Sequence, residues 1–224
     1  MADKMEKESI ASSINSALEK SRTAVTALIV ILVLAVVGFV VGITVRDKIV
    51  AGGIEKLDTI SYIYSKDGDS LSDEDVAARQ AAAIEQLTPL VEKSGIVGAR
   101  ANMLLAEIYF EKADYTASRD AWLKAAHVGN GYNVPYSTYQ AAVCSENLND
   151  VDSALKYYQS AADDAEFFLK DHALFNVGRL NEEKADFEAA KVAYEKLNAI
   201  NPETQWANLA KTRLIALKID GKIQ

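Results

Sequence analysis

The chain has 224 residues, half of them hydrophobic, and a formal net charge of −8 at pH 7. So acidic a balance repels phosphate backbones and argues against nucleic acid as a partner. The single cysteine, Cys144, rules out an internal disulfide and a paired-thiol metal site.

The first 22 residues carry four basic side chains (Lys4, Lys7, Lys20, Arg22) and four acidic ones (Asp3, Glu6, Glu8, Glu19), so the whole −8 falls after them. Met5, Ile10, Ile14 and Leu18 keep helical spacing, which extends the following helix backwards. Ala24 to Val45 is then an apolar run of 22 residues without a charge. At about 1.5 Å per residue it crosses a hydrocarbon core of roughly 30 Å. It exceeds the ~7–15-residue core of a cleaved signal, and the small residues Ala51, Gly52 and Gly53 lie beyond a charged Arg46-Asp47-Lys48 step. An uncleaved transmembrane helix over 23–45 is expected, behind a tail at 1–22. Four basic residues flank it on one side and three on the other, which leans toward a cytoplasmic tail. In a bacterium this is a single-pass inner-membrane protein with a periplasmic domain. Gly38 and Gly42, four apart, suit close pairing of two spans and hence a homo-oligomer, although glycine is common in such spans.

Residues 46–70 read as a linker: a hinge at Gly52-Gly53, a short helix over Ile54–Tyr64 with Leu57, Ile60 and Tyr64 in phase, and a loop from Lys66 to Ser70. Asp67, Asp69, Asp73 and Asp75 lack the glycine and terminal glutamate of an EF-hand, so they read as a solvated acidic segment. Asp75 to Lys93 reads as a helix with Ile84, Leu87 and Val91 on one face and Pro89 as a kink.

From Ala99 onward the sequence repeats with a constant shift of 36 residues. Its columns are Ala106, Ala142, Gly178; Tyr115, Val151, Phe187; Ser118, Ala154, Ala190; Trp122, Tyr158, Tyr194; and Ala125, Ala161, Leu197. Small residues let two helices approach, and large ones fill the gap to the next pair. The predicted hairpins are Ala99–Glu111 with Tyr115–His127, Tyr136–Glu146 with Val151–Ala165, and His172–Glu183 with Phe187–Ile200. Turns fall at Lys112-Ala113-Asp114, Asn147-Leu148-Asn149-Asp150 and Lys184-Ala185-Asp186, and Asn201-Pro202 stops the last helix. A final helix, Gln205 to Ile219, presents Trp206, Leu209, Ala210, Leu214 and Leu217 as a capping face.

This arrangement resembles the tetratricopeptide repeat, whose unit is about 34 residues. Ala106, Tyr109, Ser118 and Trp122 match its pattern in the first unit, and Gly178, Ala190, Tyr194 and Pro202 in the third. Ser145 and Asn181 depart from it. The resemblance implies an all-α solenoid over 71–224, with repeats at about 99–132, 135–168 and 171–204 and a cap helix at 205–219. It also implies a groove that binds protein partners, lined by Arg100, Met103, Glu107 and Phe110, then Tyr136, Tyr139, Val143 and Glu146, then His172, Phe175, Arg179 and Glu182. The stripe Met103, Tyr139, Phe175 offers rings for contact, and equally suits packing between adjacent first helices.

No catalytic constellation emerges, and no cofactor is implied. His127 and His172 lie in different units, no nucleophile elbow or phosphate loop occurs, and Gly129-Asn130-Gly131 is no dinucleotide fingerprint. Cys144 among small apolar residues reads as a buried thiol.

One span followed by an acidic helical-repeat domain is similar in layout to the ancillary Sec-translocon subunit (YfgM-like) family. The stretches Ala82-Ala83-Ile84-Glu85-Gln86-Leu87 and Ala101-Asn102-Met103-Leu104-Leu105-Ala106-Glu107 share in that likeness. It implies binding to membrane complexes, exported polypeptides or chaperones. Two other readings fit the residues: a structural subunit of a periplasmic collar or division-site ring, and a cytoplasm-facing adaptor.

Overall fold

Each repeat turns on the same piece of backbone chemistry. At Ala113, Asn149 and Ala185 the chain adopts a left-handed conformation, with φ of 57°, 57° and 59°. That reversal lets the amides of Asp114, Asp150 and Asp186 reach back to the carbonyls of Tyr109, Ser145 and Asn181 at 2.8–2.9 Å, closing the end of one helix. The same three aspartates start the next one. Their carboxylates accept from the amides of Ala117 (3.1 Å), Ser153 (3.2 Å) and Ala189 (3.1 Å), satisfying donors that a helix N-terminus leaves free.

The structure, a computed structural model, describes residues 2–66 and 71–224, with side chains from residue 14 onward except 18 and 23. Asp67, Asp69 and the loop expected over 67–70, like the helical face of Met5, Ile10 and Leu18, lie outside the described residues. Among the described residues all regular structure is helical: α1 (Ala2–Ser65), α2 (Asp73–Val91), α3 (Gly95–Glu111), α4 (Tyr115–Val128), α5 (Asn133–Asn147), α6 (Val151–Ala162), α7 (Lys170–Glu183), α8 (Phe187–Ile200) and α9 (Gln205–Ile219). The chain divides into two units, residues 1–52 and 53–224.

The first unit is helix throughout its described length. Its apolar side chains are exposed, Leu28, Ile31, Leu34 and Phe39 each by 65–69%. Thr26 and Thr44 turn their hydroxyls back to the carbonyls of Arg22 (2.7 Å) and Val40 (2.9 Å), so neither offers a free polar group to its surroundings. Among the described residues, α1 alone is long and apolar enough to cross a membrane, with a mean hydropathy of 3.2 in its most apolar stretch.

In the second unit a Cβ at Gly53 would lie 2.8 Å from the Val97 side chain on α3, so glycine there admits a close approach. Leu57 and Ile60 are buried, and Asp58 pairs with Arg100 of α3 at 2.8 Å. Helix α2 starts earlier than predicted, behind the cap Ser72, and Pro89 lies inside it.

From α2 on, every helix packs on the next, and α3 also meets α5 and α7 meets α9. This is solenoid packing, in which each hairpin contacts only its neighbours. Ala106, Ala142, Ala154, Ala190 and Ser118 are fully buried, and beside them lie Trp122, Tyr158 and Tyr194 at 2% exposure or less. Cys144 is buried, with its Sγ 3.2 Å from Ser118 Oγ, and burial raises its pKa. Helix α6 ends at Ala162 rather than the predicted Ala165, and α3, α5 and α7 each begin before their predicted start. On α9 the buried positions are Ala207, Ala210 and Leu217, whereas Leu209, expected on the capping face, is 40% exposed.

Candidate functional site

The groove residues come from α3, α5 and α7, the first helices of the three hairpins. Two of those hairpins share a polar rung. Tyr158 on α6 donates its hydroxyl to Glu146 Oε2 on α5 at 2.6 Å, and Arg179 on α7 pairs with the same carboxylate. One unit later Tyr194 on α8 donates to Glu182 Oε1 at 2.6 Å, and Arg213 on α9 holds both carboxylate oxygens of Glu182, its Nε at 3.0 Å from Oε1. A bidentate guanidinium fixes orientation as well as charge.

The electrostatics follow from that geometry. Burial, then the bond to its glutamate, pushes each phenol's pKa up. Burial opposes the charge on Glu182, but the bonds from Arg213 and Tyr194 outweigh it and lower its pKa. These phenols are locked donors to carboxylates, an arrangement that holds adjacent helices together.

The expected apolar stripe is largely engaged in packing. Tyr139 is 6% exposed. Its ring meets Tyr158 edge-on at 5.2 Å, its hydroxyl lies 2.7 Å from His172 Nδ1, and burial pushes its pKa up to about 12. His172 stacks on Trp206 at 3.9 Å, and Phe175 leans on Trp206 at 5.3 Å and on Tyr194 at 5.7 Å. Met103 and Arg100 line a depression with Leu57, Ser61, Leu104 and Glu107.

Two stretches stay open. Phe175, Arg179 and Glu182 line a shallow basin with Phe187, Arg213 and Lys222. Glu107, Phe110 and Val143 line a pocket of about 320 Å³ with Glu111, Trp122 and Gln140. Tyr136 stands beside it, its ring edge-on to Trp122 at 5.7 Å. Of the twelve groove positions, Glu107, Phe110, Val143, Phe175, Arg179 and Glu182 border these two stretches, whereas Tyr139, Glu146 and His172 are taken up by contacts between helices. Sequence reasoning missed Glu111, Trp122, Gln140 and Arg213 as lining residues. The shared 36-residue shift of Glu146/Glu182 and Tyr158/Tyr194 was the available signal for the rungs. Among the described residues, no cluster of His, Cys, Asp or Glu is arranged to hold a metal ion.

Comparison with known proteins bears on this hairpin geometry. Residues 171–204 match the family model of the tetratricopeptide repeat. A TPR repeat-containing protein of Treponema pallidum (strain Nichols) is 30% identical over 141 residues, 62% of this chain and 59% of that protein. The chain therefore spans less than two thirds of that relative's length. Crystal structures of the nearly identical TPR-like repeats assigned to a kinesin light chain of Podosopora anserina, and of a single-residue variant, align with TM-scores of 0.46 and 0.45. Each is 12% identical and covers 71% of this chain and 92% of that one. The tetratricopeptide match covers α7 and α8, the hairpin that carries the Tyr194–Glu182 rung.

Proposed function

We propose that this protein is a membrane-anchored scaffold that binds other proteins through the open stretches of its tetratricopeptide-like solenoid. The observation that carries the reading is the exposure of the uncharged run from Ala24 to Val45 on the same chain as that solenoid. Water would make exposure of such a run unfavourable by about 25 cal/mol per Å² of apolar surface, whereas lipid removes the penalty. Anchoring confines the solenoid to a surface and so raises its effective concentration toward membrane-bound partners. The charge count on either side of the run favours a periplasmic solenoid. The layout it shares with the YfgM-like family favours membrane complexes and exported polypeptides as partners.

The test is fractionation and labelling. The full chain is expected in the carbonate-washed membrane pellet. A cysteine placed at Gly131, which is exposed at a turn, is expected to react with an impermeant thiol reagent on intact spheroplasts. Release into buffer removes the anchor from the reading, and labelling only after lysis turns the protein into a cytoplasm-facing adaptor.

A second reading, self-assembly through the span, is favoured by Gly38 and Gly42. Both sit on the exposed helix with nothing within 4 Å of an added Cβ. Crosslinked dimers lost on Gly38→Leu with Gly42→Leu would support it.

A further inference from the structure

The polar rungs make their own exception visible. The residues 36 positions before Tyr158, Glu146 and Arg179 are Trp122, Phe110 and Val143. With no carboxylate and guanidinium to bridge α3 and α5, these three wall the pocket of about 320 Å³, and Glu107 and Glu111 stand at its rim. Neither carboxylate has an ion-pair partner among the described residues. Glu111 accepts a hydrogen bond from the Tyr64 hydroxyl. Packing around Glu107, and then the neighbouring charge of Glu111, raise the Glu107 pKa. The site therefore combines an unfilled apolar floor with a rim of unneutralised negative charge. The rim repels anionic lipid headgroups and attracts a cation. The other open stretch sets Arg179, Arg213 and Lys222 beside Glu182 and Glu183, and its cations are already paired with carboxylates. In an extended chain successive residues advance about 3.3 Å, so an apolar anchor and a nearby basic residue reach floor and rim together.

We propose that the pocket between α3, α4 and α5 seats one large apolar side chain from an extended segment of a partner protein, with a lysine or arginine within two residues of that anchor paired to Glu107 and Glu111. This rests on the scaffold reading and names what the scaffold's first open stretch recognises. The floor supplies burial and the rim supplies selectivity by charge.

The test uses the full chain in neutral detergent micelles and three fluorescein-labelled nine-residue peptides of Gly and Ser. The first carries Phe with Arg two positions on, the second Phe with Glu there, and the third Ala with Arg. Anisotropy is expected to show the first peptide binding at least about tenfold more tightly than the other two, with affinity falling as salt rises. Glu107→Gln with Glu111→Gln is expected to remove that preference. Val143→Arg places a guanidinium where the next unit has one and is expected to abolish binding. Should Val143→Arg fail to fold by circular dichroism, the double glutamine variant decides alone. Equal binding of all three peptides, a preference for the acidic one, or an unchanged double variant overturns the proposal. A photocrosslinker at Glu183, which lines the second open stretch, separates the two readings. If it captures a partner in native membranes while the peptides fail, the scaffold stands and the pocket assignment falls; if both fail, both fall.

Discussion

Tyr194 donates its hydroxyl to Glu182 at 2.6 Å across the α7–α8 hairpin, and Tyr158 repeats the bond to Glu146 one unit earlier. Arg213 and Arg179 pair with the same carboxylates, so each rung ties three helices. Hydrogen bonds to charged groups contribute more than neutral ones, about 1.5–3 kcal/mol. Tyr194→Phe and Tyr158→Phe are each expected to lower stability by about 1.5 kcal/mol in urea unfolding of the full chain in micelles. Tyr157→Phe, whose hydroxyl has no such bond, is expected to change it little.

Gly178 occupies the column that Ala106 and Ala142 fill in the earlier units. A Cβ there would lie 2.3 Å from the Tyr194 ring, which is fully buried and hydrogen-bonded. The ring has no room to retreat, so the gain in helix propensity from alanine loses to overpacking. Gly178→Ala is expected to destabilise the protein by about 1–3 kcal/mol, measured by the same unfolding experiment.

Ala113 and Ala185 are exposed residues in the left-handed region. Such a conformation costs a residue with a Cβ roughly 1 kcal/mol and glycine almost nothing. Ala113→Gly and Ala185→Gly are each expected to raise stability by about 0.5–1 kcal/mol, less than the strain relieved because glycine also loosens the unfolded chain. A loss of stability in both variants would contradict the turn geometry.

His172 lies below its ordinary pKa of 6.5, because burial and then Arg179 disfavour the imidazolium, with Glu146 pulling the other way. Between that depressed value and about 6.5 the unfolded chain binds more protons than the native one, so stability falls as pH drops through the window. Unfolding midpoints are expected to decline from pH 7 to pH 5, and His172→Gln is expected to flatten that slope. Glu182, also depressed, adds a loss of the same sign as pH falls through and below 4.5. Glu107, raised above 4.5, works oppositely: its protonation near that pH favours the native state.

The hairpins were legible because the 36-residue shift superposes Ala106, Ala142 and Gly178, and helix pairing is written in such small-residue columns. The helix from Gln205 to Ile219 was legible from its apolar spacing, yet the choice of Ala207 over Leu209 as the buried residue was not. That choice depends on how α9 packs against both α7 and α8. The contact with Val97 on α3, distant in sequence, that Gly53 accommodates was not legible in the sequence.

Local patterning alone determined that the chain is helical and repetitive, that its charge follows residue 22, and that one run is apolar enough for lipid. Those properties rest on spacing between neighbours along the chain. Which groove positions stay open was decided by packing across units. Trp206 stacks on His172, Tyr158 meets Tyr139, and no arginine fills the space beside Phe110 and Trp122. Burial at each of these places depends on side chains 19 to 34 residues away in sequence, and a single helix's periodicity carries no record of them.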